Sequence, residues 1–154
     1  MAALLTRFRS RAAAAVLGAL IATSGCSLST DNGGPVFQFV YTQPSNTAPT
    51  AEDASDIEVF GRTGYIEALS GIMVLPCLTA ERTAGFQRDG NTMTIRMIAR
   101  ANNAACSSGP TSPIGYNAYL TNVEPGTYTV RIVHEGDQLV PSGTVVKEVV
   151  VTVV

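Results

Sequence analysis

The single histidine of the chain, His134, is the side chain with the widest catalytic potential. A Ser–His–Asp triad would need it as general base, but the sequence has no Gly-x-Ser-x-Gly motif. The adjacent Glu135 points to the opposite face of a strand, and no motif fixes another carboxylate beside the ring. Glu58 and Glu67 could flank a hairpin as glycosidase carboxylates do, but any β-protein offers such pairs. We therefore predict no catalytic residue and no enzyme activity. His134 is expected to be packed or solvated at a strand end, with a pH-sensing or metal-binding role as the alternative.

Two short acidic clusters could hold calcium through their carboxylate oxygens. Glu52, Asp53 and Asp56 form the first, and Glu135 and Asp137 form the second. Neither has the spacing of a calcium-binding loop, and one histidine with two separated cysteines falls short of a zinc site. We predict solvated carboxylates, no metal and no cofactor, with a structural or adventitious calcium site as the alternative.

The weak candidate for ligand binding is a tyrosine on a predicted strand. By alternation Tyr119 points out of the sheet, beside Asn117 and Thr121. An aromatic ring flanked by amides and hydroxyls can stack on a sugar or anchor a protein partner. The alternative is an ordinary surface tyrosine.

The first 26 residues are typical of an exported protein. Residues 1–11 carry three arginines and no acidic residue, and residues 12–23 are uncharged and mostly apolar. That run is too short to span a bilayer but fits the apolar part of a signal peptide. Ser24 and Gly25 then precede Cys26, an arrangement that resembles the lipobox of bacterial lipoproteins, although Thr23 stands where a larger aliphatic residue is usual. The resemblance implies cleavage after residue 25 and acylation of Cys26. A cleaved signal with Cys26 left free is the alternative.

The lipobox also bears on the other cysteines and on location. Acylation of Cys26 leaves Cys77 and Cys106, and an even pair in an oxidising compartment predicts one disulfide. The expected location is the cell envelope, with the lipid bilayer as one partner. Ser27 lacks the Asp that marks inner-membrane retention in some bacteria, which favours the outer membrane where the host has two. Removing residues 1–25 leaves seven basic and twelve acidic side chains, a formal net charge of −5, and no basic stripe that would indicate nucleic acid.

The elements that position these residues are predicted to be strands. Residues 26–56 form an anchor and flexible tether with a possible edge strand at 36–41, after which segment 42–56 is either a surface loop or part of a stalk. Residues 57–154 form one domain of short β-prone runs between turn signals. The predicted strands are 57–60, 65–69, 72–74, 78–86, 92–100, 116–122, 128–133 and 145–154. Asp89-Gly90 predicts a hairpin with a type I′ turn, in which both central residues have positive φ.

This pattern predicts an all-β fold, an antiparallel sandwich of about seven strands after an N-terminal signal helix. Segment 120–133 resembles the penultimate hairpin of carboxypeptidase-regulatory, prealbumin-like and fibronectin-type modules, which implies an immunoglobulin-like or prealbumin-like architecture but no function. The chain has no Trp, and both paired cysteines lie outside the predicted strands, which excludes the antibody-like subclass.

The function that the sequence favours is a non-catalytic binding or structural module of the cell envelope, with an unidentified envelope protein or glycan as partner. One alternative is an inhibitor that presents loops such as 102–113 to a periplasmic hydrolase. Another is an accessory subunit of an envelope complex.

Overall fold

The computed structural model describes residues 34–44, 47–102, 106 and 111–154. The signal peptide, Cys26 and most of loop 102–113 lie outside these residues. The described part is all-β, as predicted, with eight strands and no helix. No helix within it could span a membrane. The strands are β1 Val36–Thr42, β2 Glu58–Arg62, β3 Tyr65–Leu75, β4 Glu81–Asp89, β5 Thr92–Arg100, β6 Ser112–Thr121, β7 Gly126–Glu135 and β8 Thr144–Val153.

The strands form two four-stranded sheets. The first has the order β1-β6-β3-β2 and the second the order β4-β5-β7-β8. All neighbours are antiparallel except β5 and β7, so the prediction of a wholly antiparallel fold is wrong at this pair. The physical reason is the crossover. After β5 the chain passes into the first sheet as β6, and β6 carries it back to the end of the fold where β5 began. β7 therefore starts at that end and runs beside β5 in the same direction.

The core lies between the inner faces of the two sheets. In β5 the buried residues are Met93, Ile95, Met97 and Ala99, the alternating set that the sequence predicts. Apolar side chains at every second position put one face of a strand out of water, and each such side chain contributes roughly 1.5–3 kcal/mol when fully buried.

The first strand joins the domain along its whole length. β1 pairs with β6 from Val36 opposite Thr121 to Thr42 opposite Gly115. Its Phe37 stacks on Phe86 of β4 in the other sheet, with ring centroids 6.2 Å apart. Residues 36–42 therefore form an edge of the first sheet, and the segment that follows them is a loop rather than a stalk.

The strand boundaries differ from the sequence prediction most at β3, β4 and β6. β6 begins at Ser112 rather than at residue 116, so residues 112 and 113 belong to a strand and not to the predicted loop. The runs at 65–69 and 72–74 belong to one strand, β3, because a bulge between Ala68 and Gly71 shifts the register there. Ser70, in the bulge, has φ of 61°. β4 begins at Glu81 rather than at residue 78, because a turn closed by the Ala80 N–H to the Cys77 carbonyl precedes it.

The β4–β5 hairpin is confirmed, but its turn type is wrong. Asp89 pairs directly with Thr92, so Gly90 and Asn91 are the two central residues. Only Gly90 has positive φ, 57°, which fits a type II′ turn with glycine first. Either turn matches the twist of the strands, and the glycine position selects between them.

The two ends of the fold carry different connections. At one end, called here the Gly90 end, three short turns join β2 to β3, β4 to β5 and β6 to β7. The opposite end, called the disulfide end, is where the strands joined by the longer connections 43–57, 76–80, 101–111 and 136–143 begin or end. β1 begins at the Gly90 end.

Candidate functional site

The only histidine sits in a buried cluster with a tyrosine and an aspartate. Tyr116 of β6 and His134 of β7 meet across the two sheets, with 2.7 Å between the Tyr116 hydroxyl and His134 Nε2. His134 Nδ1 lies 2.7 Å from Asp137 Oδ2. The side chains of His134 and Asp137 have no exposed surface, and Tyr116 is fully buried. We call these three residues the buried cluster.

Burial keeps the proton on Tyr116 in the buried cluster. Burial, and secondarily the negative charge of Asp137, raise the pKa of the Tyr116 hydroxyl above its ordinary value. The phenol can therefore donate to His134 Nε2. In the tautomer that accepts this bond, the imidazole N–H is on Nδ1 and faces Asp137 Oδ2.

Asp137 also connects the two sheets through backbone amides. Its Oδ1 accepts the N–H of Val74 in β3 at 2.9 Å and that of Leu139 at 3.0 Å. Gly136 lets the chain turn back: its φ is 74°, and a Cβ there would lie 2.0 Å from the Ala99 carbonyl oxygen. A larger residue at 136 would clash with Ala99 and displace the chain, so Asp137 would no longer lie beside the His134 ring.

The sequence placed His134 correctly at the end of a strand but missed both of its partners. The carboxylate beside it is Asp137, three residues on, and not Glu135, whose side chain bonds Arg96 at 2.8 Å. The local signal is His-x-Gly-Asp, in which a glycine lets a carboxylate fold back on the preceding strand. Tyr116 is distant in sequence, and no local pattern pairs it with His134. The buried cluster can fix the imidazole and its tautomer, but in this structure no substrate can reach it.

Three carboxylates of the predicted acidic clusters have partners in the structure. Asp53 Oδ2 accepts the Thr50 N–H at 2.6 Å and the Thr50 hydroxyl at 2.8 Å, which closes the turn before β2. Glu135 pairs with an arginine, and Asp137 belongs to the buried cluster. Among the described residues, no group of three or more His, Cys, Asp or Glu side chains could hold a metal ion.

The predicted cysteine pair is joined. Cys77 follows β3 and Cys106 lies between β5 and β6, and their sulfur atoms form a disulfide. Cys77 is buried, whereas the adjacent Leu78 is 67% exposed at the disulfide end. The disulfide thus ties the connection before β4 to the connection before β6.

Tyr119 lies in the middle of the outer face of the first sheet. Its two neighbours in β6 are fully buried, while Tyr119 itself is partly exposed. The strand registers place it opposite Gln38 of β1 and Glu67 of β3, and Glu67 opposite Phe60 of β2. These four side chains form a row across all four strands, which we call the Tyr119 row.

The residues around the Tyr119 row are apolar, aromatic or uncharged polar, apart from one ion pair and Glu58 at the edge in β2. Thr121 and Tyr65 lie on one side of it, and Val40 and Asn117 lie on the other. Phe60 is 37% exposed and Val40 51%. Glu67 accepts a hydrogen bond from Arg62 at 2.8 Å, and the Arg62 guanidinium lies 4.8 Å from the Phe60 ring centroid. Glu58 and Glu67 share this face, but Glu58 pairs with Leu69 in register, so the two do not form an opposed carboxylate pair.

The outer face of the second sheet has a different composition. It carries threonines, the exposed Val150 and two cross-strand ion pairs, Arg96 with Glu135 and Arg131 with Glu148. Both pairs are solvent-exposed, so each contributes at most about 1 kcal/mol. Thr94 lies on this face between Gln87 of β4 and Arg131.

No protein-family model matches the chain, and no curated protein or solved structure matches it significantly.

Proposed function

We propose that this protein is a non-catalytic binding module of the bacterial cell envelope and that the outer face of the first sheet is its binding surface. The observation that carries the proposal is the Tyr119 row, a line of side chains with a tyrosine at its centre, across a sheet face that no other described strand or loop covers. Aromatic side chains provide much of the binding energy at recognition surfaces because they bury a large area at a small cost in conformational entropy.

The absence of catalysis is part of the proposal. His134 and Asp137 have the side chains with the most catalytic potential. They form hydrogen bonds with each other and with buried neighbours. A general base must come within hydrogen-bond distance of the proton it removes, and burial keeps solutes away from this one.

A lipid on Cys26 would orient the module. β1 begins at Val36, and the few residues between Cys26 and Val36 reach at most about 35 Å when fully extended. The Gly90 end would then face the membrane, and the disulfide end would point away from it. Cys26→Ala should abolish labelling by radioactive palmitate and release the protein from the outer-membrane fraction. Unchanged processing and membrane fractionation would contradict the anchor.

The finer fold class belongs to the same proposal. Two four-stranded sheets with crossovers between them, no tryptophan and a disulfide between loops support an immunoglobulin-like or prealbumin-like module outside the antibody subclass.

A photo-crosslinking amino acid tests the binding face. Placed at Tyr119 of the full chain in cells, it should yield an adduct with an envelope component. The same amino acid at Thr94, on the outer face of the second sheet, is the matched control. Equal adducts from both positions, or none from Tyr119, would contradict the proposal.

A second candidate function is supported by Leu78. This exposed side chain stands beside the disulfide, which restrains its loop, and a rigid exposed apolar residue is a suitable anchor for a protein partner. An inhibitor of a periplasmic hydrolase, or an accessory subunit, would use it. Under this alternative, a hydrolase or complex that co-purifies with the parent should be lost with Leu78→Asp and kept with Tyr119→Ala.

A further inference from the structure

A groove continues the Tyr119 face towards the disulfide end. It has a volume of about 270 Å³, and its lining residues come from β1, the bulge of β3 and β6. Asn117 connects the two features, because it lies two residues from Tyr119 on the same face of β6 and also lines the groove. A ligand that lies on the Tyr119 row can therefore extend into the groove without leaving the surface.

The bulge in β3 shapes this groove. Ser70 has φ of 61°, a conformation that costs a non-glycine residue of order 1 kcal/mol or more. The Asn117 Oδ1 stabilises it by accepting the Ser70 N–H at 3.0 Å. Backbone strain of this kind is concentrated at functional sites, and here it opens the sheet surface beside Tyr119.

None of the described residues that line the groove is charged, and the polar ones among them include Gln43, Ser70 and Asn117. On the adjoining face, Arg62 and Glu67 neutralise each other. Glu58, at the β2 edge of this face, adds a negative charge. The surface therefore offers no unpaired cation to a phosphate, sulfate or carboxylate ligand, and its uncharged centre complements a neutral one.

Hydrogen-bonding groups on this surface are available to a ligand. Within the described part of the chain, the side chains of Gln38, Gln43 and Tyr119 form no hydrogen bond. The Asn117 side chain uses its oxygen for Ser70, which leaves its NH₂ group. Amide and hydroxyl groups beside an aromatic ring match the two surfaces of a pyranose, since a sugar presents C–H groups on its ring face and hydroxyls at its rim.

The spacing of the rings suits an extended chain of sugars. Tyr119 and Phe60 lie in the same row two strands apart, which corresponds to about 9.6 Å in a sheet. That distance is comparable to the length of one disaccharide unit in an extended β-linked glycan. Glu67 lies between the two rings in this row, where it can contact the hydroxyls of the intervening sugar, and Arg62, whose guanidinium lies over Phe60, binds Glu67.

We infer that the Tyr119 face and its groove bind a neutral, extended oligosaccharide of β-linked pyranoses. This inference rests on the proposed function and names its ligand class. Tyr119 provides the stacking surface, and Gln38, Gln43 and Asn117 provide hydrogen bonds to hydroxyls.

Calorimetry with defined glycans tests the inference on the full-length lipidated protein, in a detergent without a sugar head group. The neutral probes are cellohexaose and chitohexaose, and the anionic probe is a hexamer of polygalacturonate. We expect the parent to bind at least one neutral probe and to bind the anionic probe at least tenfold more weakly. Tyr119→Ala should weaken the neutral binding at least tenfold and Gln43→Ala about threefold, while Tyr119→Phe keeps it.

The matched control is Thr94→Ala on the second sheet, whose affinity should stay within twofold of the parent. Circular dichroism checks that each variant is folded. No binding of either neutral probe to the parent, equal binding to parent and Tyr119→Ala, or preference for the anionic hexamer would overturn the inference.

Photo-crosslinking distinguishes failure of the glycan inference from failure of the proposed function. If neither neutral probe binds but the crosslinker at Tyr119, and not at Thr94, captures a protein, the glycan ligand is wrong and the binding face stands. If the probes fail and the crosslinker at Tyr119 gives no adduct, both proposals are wrong.

Discussion

The two ends of the fold are stabilised in different ways. At the Gly90 end, backbone groups bond one another: the Gly64 N–H donates to the Val154 carbonyl, the Val123 N–H to the Gly64 carbonyl and the Thr129 N–H to the Asn91 carbonyl. At the disulfide end, the longer loops also have backbone hydrogen bonds, such as the Gln138 N–H to the Val74 carbonyl, but they add two side-chain links, the disulfide and the Asp137 carboxylate.

The difference shows how connection length determines what a turn needs. A two-residue turn brings its strands together by its own backbone conformation, so local residues suffice. A longer loop has more conformations to lose and needs contacts from elsewhere in the chain. The disulfide end meets this need with one covalent bond and one buried carboxylate. The following variants test the contrast, from the largest expected effect to the smallest.

Asp137→Ala should give the largest loss. It removes the acceptor of three hydrogen bonds and leaves the His134 Nδ1–H and two backbone amides buried without partners. We expect unfolding free energy to fall by about 3–5 kcal/mol, measured by urea denaturation. Asp137→Asn is the control: its amide oxygen can still accept from Val74 and Leu139, and His134 can change tautomer, so the loss should be smaller. A loss below about 1 kcal/mol for Asp137→Ala would show that the disulfide end does not depend on this carboxylate.

The Cys77→Ser, Cys106→Ser double variant should lose roughly 3–4 kcal/mol in the chain-entropy description, since the bond closes a separation of 29 residues. Reduction of the parent should reproduce the loss in urea denaturation. Amide exchange at Val74 then sharpens the contrast: protection in the folded double variant would show that Asp137 holds β3 without the disulfide. Free thiols at both cysteines in protein isolated from cells without reductant would contradict the bond.

Tyr116→Phe should cost about 1–3 kcal/mol, because it leaves His134 Nε2 buried without a donor. Tyr119→Phe, three residues away on the outer face of the same strand, is the matched control and should change stability by less than about 0.5 kcal/mol. Equal losses for the two variants would contradict the role of the buried cluster.

The contribution of Tyr116 to the unfolding free energy also depends on pH. The pKa of Tyr116 is raised in the folded protein, so above pH of about 10 the unfolded chain loses a proton that the folded chain keeps. The stability that this tyrosine contributes is therefore complete below pH 10 and lost as pH rises further. The gap between the parent and Tyr116→Phe should narrow between pH 8 and pH 11, as measured by urea midpoints.

Gly90→Val should cost about 1–2 kcal/mol, because valine must adopt a positive φ at the first central position of the turn. Gly85→Val is the control in the same hairpin: its φ is ordinary, and a Cβ there meets no atom within 4 Å. It should leave the melting temperature unchanged or raise it. Equal melting temperatures for the two variants would contradict the turn assignment. They would also contradict the argument that local residues suffice to form the turns at the Gly90 end.

The sequence predicted the outward-facing side of β6, which carries Tyr119, but not the contacts of its inward-facing side. Alternation placed Tyr119 on the outer face, because the period of a strand is local. The same alternation put Tyr116 on the opposite side from Tyr119 but could not identify its partner. His134 belongs to another sheet, and Asp137 reaches the ring only because Gly136 turns the chain. The groove was not predicted, because it arises from a bulge where β3 loses register with β6.

The sequence by itself determined the all-β class, the alternating core of β5, the hairpin at Gly90 and the pairing of Cys77 with Cys106. Each follows from short-range periodicity, from one glycine, or from counting cysteines. Only the tertiary structure decided that β5 and β7 run parallel, that β1 closes the edge beside Tyr119 and that Tyr116, His134 and Asp137 share a buried site. Those features depend on which strands become neighbours, and that is set by packing two sheets face to face rather than by any local pattern.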